Sequence, residues 1–123
     1  STFVRFNYAL FLWGQGRYPD AKREVDKLLK VEKDGVNYTL SAMIETSLRA
    51  KDAAVDAARA AITAFGPAVL LNQYELNWLE RAARIAGENA VVADVEEQRK
   101  QRPSDTKVAD IGNLPMLRDE EKT

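Results

Sequence analysis

Three helix-breaking turns recur along this chain at nearly constant spacing, and no other feature restricts its fold as much. Equating Gly16, Ala50 and Ala86 sets the turns 34 and then 36 residues apart. Segments with apolar residues at helical spacing lie on both sides of each turn, so the repeating unit is helix, turn, helix. Such a unit cannot bury its apolar face alone and has to stack on its neighbours. The expected fold is therefore all-α, built from about three antiparallel helical hairpins over residues 1–102, with a polar tail over 103–123.

The individual segments fit this plan. Helices are expected over residues 2–15, 19–32, 36–51, 52–65, 67–86 and 88–102. Phe3, Val4, Phe6, Tyr8, Ala9, Leu10, Phe11, Leu12 and Trp13 wrap nearly the whole circumference of the first. A helix that is apolar all round is covered all round. The hairpin partner supplies one cover; the remainder falls to later helices, an upstream element, a second copy or a ligand. Ala21, Val25, Leu28 and Leu29 form the stripe of the second helix, Lys22, Arg23, Asp26 and Lys27 face solvent, and Asp34-Gly35 closes it. Leu40, Met43, Ile44 and Leu48 form the stripe of the third. The fourth is rich in alanine, which has the best helix propensity and lets backbones approach closely. The fifth carries Leu71, Tyr74, Trp78, Ala82 and Ile85 on one face, and the sixth becomes polar towards its end, as a solvent-facing cap should. In the tail, the apolar residues of 111–117 offer a segment that could dock extended against the helices.

Composition removes several function classes. The 123 residues include neither cysteine nor histidine, so disulfides, thiolate metal sites and the commonest general base are absent. Eighteen basic against nineteen acidic residues give a net charge of −1 with no basic tract, which argues against nucleic-acid binding. The longest apolar run, 8–13, is too short to span a bilayer. Gly14 and Gly16 lack the third glycine and preceding strand of a nucleotide-binding turn. Asp52 and Asp56 read as acids favoured at a helix start, and no nucleophile stands with a base. No enzyme activity, cofactor or metal is expected. The chain begins Ser-Thr-Phe, which suggests a piece of a larger protein, taken here to be bacterial, in the cytoplasm or periplasm and with a membrane attachment elsewhere left open.

The turn Gly16-Arg17-Tyr18-Pro19-Asp20-Ala21, with Ala9 midway along the first helix, resembles the tetratricopeptide repeat (TPR). Ala21, Val55 and Val91 match after the turns, and Pro67 matches Pro103 at the hairpin ends. The second copy departs by placing Arg59 opposite Val25, and the third by two extra residues and Leu79 at the small-residue position. The resemblance implies a right-handed superhelix in which the first helix of each hairpin lines a concave, partner-binding groove. The groove residues it implies are Phe3, Phe6, Leu10 and Trp13, then Asn37, Leu40, Ile44 and Ser47, then Gln73, Leu76, Asn77, Glu80 and Arg84. Phe6 and Leu10 stand where relatives that clamp a C-terminal carboxylate need polar residues, so the expected partner is an apolar peptide or protein segment. Aromatic stripes are as often plain core, which leaves Phe3, Phe6 and Trp13 open to that role too.

Two functions stand side by side. One is a non-catalytic protein-protein interaction module with a partner segment in the groove. The other is a structural or self-association domain of a larger envelope or secretion assembly, a homodimer forming through the N-terminal helix and dissolving on Phe6→Asp or Leu10→Asp. A third is a regulatory domain attached to an enzyme.

Overall fold

Short polar signals set several of the helix starts in this protein, as the computed structural model, which describes residues 1–102, shows. Among these residues there are six α-helices, one 3-10 turn and no strand. α1 (Thr2–Gly14) begins on Ser1, whose hydroxyl accepts the Val4 amide at 3.3 Å. α2 (Tyr18–Val31) holds Pro19 in its first turn, where a missing N–H is harmless, and Asp20 at the positive end of the helix dipole. α3 (Gly35–Ser47) is capped by Asp34, whose carboxylate accepts the Asn37 amide at 2.8 Å. Asp34-Gly35, expected to close α2, thus opens α3. Partial burial raises the Asp34 pKa, against the hydrogen bond from Asn37 that lowers it. α4 (Lys51–Phe65) follows, ending at Gly66.

The single helix expected over 67–86 is broken. Ala68–Leu70 form a 3-10 turn, Leu71 is extended, and α5 (Gln73–Ala86) starts afresh after Asn72. The reason is a capping box: Asn72 Oδ1 accepts the Glu75 amide at 2.8 Å while Glu75 Oε1 accepts the Asn72 amide at 3.0 Å. Leu71 therefore leaves the Trp78 face and packs with Leu76, Leu79 and Val95. α6 (Asn89–Gln101) completes the described chain.

The turns within α1/α2, α3/α4 and α5/α6 share one geometry. Gly16, Arg49 and Gly87 take left-handed φ values of 77°, 62° and 71°. The next amide in each case, from Arg17, Ala50 or Glu88, reaches back to the carbonyl of Leu12, Glu45 or Ala83 at 2.9 Å. These N-cap residues are 33 and 38 residues apart, not 34 and 36. With the register corrected, Ala21 matches Ala54, Val25 matches Ala58 and Leu28 matches Ala61, and all six are buried. The mismatch at Arg59 disappears, because Arg59 is an exposed neighbour of the matching residue.

Each helix packs on the next, and α3 also packs on α5. The largest apolar cluster joins Phe6, Ala9, Leu10 and Leu12 of α1 to Ala21, Val25 and Leu28 of α2, Leu40, Met43 and Ile44 of α3, and Trp78 of α5. A second is made of Ala42, Ala58, Ala61 and Ala82, where small side chains bring α3, α4 and α5 close. Gly35 allows a further close approach: a Cβ there would stand 2.6 Å from the Phe65 ring at the far end of α4. No helix among the described residues is long and apolar enough to cross a membrane. The expectation that 111–117 docks on the helices concerns residues outside those described.

Candidate interaction surface

The residues expected to share one groove are dispersed into three environments. Phe6, Leu10, Leu40 and Ile44 lie in the large core cluster, together with Ala21, Val25 and Leu28 of α2 and with Trp78, which crosses from α5 to Phe6. Its ring meets Phe6 edge-on, with centroids 5.8 Å apart and planes at 72°, and Tyr74 flanks it at 6.3 Å. Trp78 is itself fully buried. The wall expected to face a partner is therefore filled at this point by the chain's own indole. Leu76 is also core, but in the α5/α6 cluster. Phe6→Asp or Leu10→Asp would accordingly test folding rather than association.

A second group makes internal polar contacts. Trp13 is half-buried and its Nε1 donates to Ser47 Oγ at 2.9 Å, joining α1 to α3. Asn37 is buried and its Nδ2 donates to the Glu32 carbonyl at 2.9 Å, satisfying the end of α2. Gln73 Nε2 donates to Asn77 Oδ1 at 3.2 Å, and Asn77 Oδ1 also accepts from Arg99. Arg99 Nη1 lies 2.6 Å from Glu80 Oε1, and Arg84 Nη2 lies 2.7 Å from Glu80 Oε2 and 3.8 Å from Glu96. Burial would raise the Glu80 pKa, but hydrogen bonds from Arg84 and Arg99 outweigh it and hold the carboxyl below its ordinary value. Asn77, Glu80 and Arg84 thus face α6. They tie one helix pair together instead of lining an open groove.

Phe3 alone among the expected aromatic contacts is exposed, at 68%, and it has neighbours that were not singled out. Val4, Tyr8 and Phe11 are 64%, 48% and 58% exposed. At i, i+4 and i+7 they form one stripe along α1. The corrected register explains why it is bare. Thirty-three residues on, the matching positions are Asn37, Ser41 and Ile44 of α3, all buried. There α2 supplies the cover, through the Glu32 carbonyl on Asn37 and through Val25 and Leu28 clustered with Ile44. The stripe on α1 is the corresponding seat with no helix on it among the described residues. Its signal was present in the sequence as apolar residues all round the first helix.

Two shallow clefts also open on the surface of the described residues. One, of about 400 Å³, is lined by Thr46, Arg49, Lys51, Ala54, Val55 and Ile85. The other, of about 220 Å³, lies between the start of α1 and the end of α2, at Ser1, Thr2, Arg5, Leu28 and Val31. Among the described residues no group of acidic, cysteine or histidine side chains is placed to hold a metal. No family model, curated protein or solved structure matches the chain.

Proposed function

We propose that this chain is a non-catalytic protein-protein interaction module, a TPR-like right-handed stack of three helical hairpins, whose contact surface is the outer face of α1. One observation carries this: an uninterrupted apolar stripe of Val4, Tyr8 and Phe11, edged by Phe3, is exposed where the equivalent stripe of α3 is covered by a helix. Contiguous apolar patches of a few hundred Å² are often contact sites. A helix is the partner element that fits, because the seat on α3 is filled by one. The internal wall plays a different part: Phe6, Leu10, Leu40 and Ile44 hold the stack together and are closed to a peptide.

Selection of binders from a displayed library of amphipathic helical peptides tests this reading. Enriched peptides should bind the wild-type chain and lose binding to Phe11→Asp, whose fold the exposed site leaves intact. Peptides that bind Phe11→Asp equally well would move the contact surface elsewhere.

A further inference from the structure

Resting on that reading, we infer that the helix seated on α1 is α1 of a second copy, in an antiparallel two-fold pairing centred beside Tyr8. The stripe presents no charge, so its complement has to be apolar as well. α1 contains one charged residue, Arg5, which borders the stripe on the side away from Phe3, where its long side chain can keep the guanidinium in water. Two copies can therefore face each other with no charge at the centre of the contact. The exposed face of α6 offers no such complement, since it carries Asp94, Glu96, Glu97 and Lys100, and the exposed Val69 and Leu70 beside it are only two residues of a 3-10 turn. Head-to-tail association of α6 on α1 would desolvate those charges against phenylalanine and valine.

The spacing suits the two-fold arrangement. Val4 and Phe11 flank Tyr8 by one helical turn on either side, so an antiparallel copy sets Val4 opposite the second copy's Phe11. Tyr8 then lies near the axis, where its amphipathic ring can pack while its hydroxyl stays wet. The exposed area is small. Three aromatic side chains of about 150–250 Å² each and the smaller Val4, roughly half to two-thirds exposed, offer about 400 Å² per copy. That is about half of a standard interface per partner, so the dimer is weak, reversible and concentration-dependent.

Sedimentation velocity over a concentration series tests this on the chain as it stands. The mass should rise from 13.8 kDa towards twice that value as concentration increases. Phe11→Asp and Val4→Asp should remain monomeric at every concentration with unchanged helical circular dichroism, whereas Leu70→Asp, at an exposed apolar site away from α1, should still dimerise. Because the chain has no cysteine, Tyr8→Cys should oxidise to a covalent dimer at least tenfold faster than Leu70→Cys. A monomer throughout the series, association abolished by Leu70→Asp but kept in Phe11→Asp, or equal oxidation rates would each overturn the pairing. A wild-type monomer that still selects helical peptides through Phe11 would overturn the second copy as occupant while leaving the interaction module in place.

Discussion

Trp13 of α1 donates its indole N–H to the hydroxyl of Ser47 in α3 at 2.9 Å, so one side-chain bond joins the first helices of successive pairs. The bond sits at the turn-proximal end of both helices, beside core formed by Leu10 and Ile44. Ser47→Ala leaves a half-buried indole N–H without its acceptor and should cost about 1 kcal/mol in urea melts. Restoration by Ser47→Thr would attribute the loss to the hydroxyl; an equal loss in both variants would not.

Trp78 carries the largest packing load. Trp78→Ala opens a cavity against Phe6 and Tyr74 and should destabilise by about 3–5 kcal/mol. Its Nε1 has no hydrogen-bond partner among the described residues, so Trp78→Phe, which removes that buried donor, should cost much less than the alanine change. Exposed Lys30→Ala should be silent within about 0.5 kcal/mol. Lys22 differs from it, because its Nζ lies 3.2 Å from the buried carboxylate of Glu45. Lys22→Ala should cost about 1 kcal/mol.

Arg49 occupies the left-handed position that glycine fills in the other two intra-pair turns. For a residue with a Cβ that conformation costs about 1–2 kcal/mol. Glycine would relieve it but gives back part of the gain through the unfolded chain's freedom. Arg49→Gly should therefore stabilise by about 0.5 kcal/mol net, read as a higher urea midpoint at unchanged slope. A lower midpoint would show that the Arg49 side chain contributes more than its backbone costs.

Glu80 ties α5 to α6 in acid-sensitive fashion. Its pKa is lowered on folding, so its contribution is complete above the ordinary glutamate value of 4.5 and is lost as pH falls through the lower folded value. Glu80→Gln should lower stability by about 1 kcal/mol at neutral pH, a modest figure because Arg84 is largely exposed, and the gap from wild type should close on acidification. A gap constant down to the acid unfolding range would show that shape, not charge, is what the substitution removes.

Element identity was legible in the sequence; what each helix face touches was not. Gly16-Arg17-Tyr18-Pro19 and Gly87 announce their turns, and α1, α2, α4 and α6 fall within a residue or so of expectation. The equated positions Ala50 and Ala86 each miss their turn by one residue, the second because Arg49 does the work of a glycine without resembling one, the third because Gly87 rather than Ala86 takes the left-handed conformation. The slip at Arg49 put Val55 and Arg59 where Ala54 and Ala58 belong. Leu71 was misread because the Asn72/Glu75 box outranks Pro67 as a helix start. The burial of residues expected on an open groove has a different origin. Phe6 meets Trp78, and the reach of an indole from α5 to α1 leaves no periodic trace.

That reach also governs how the molecule comes apart. In an array where each unit touches only the next, ends can fray one unit at a time and truncation leaves the remainder intact. Here an aromatic ring near the end of the described chain closes over residues near its beginning, so loss of the last two helices would uncover Phe6 in the first. Opening is thereby made concerted: a single sigmoidal melt is expected from every spectroscopic probe, and shortened versions should collapse in stability out of proportion to the residues removed.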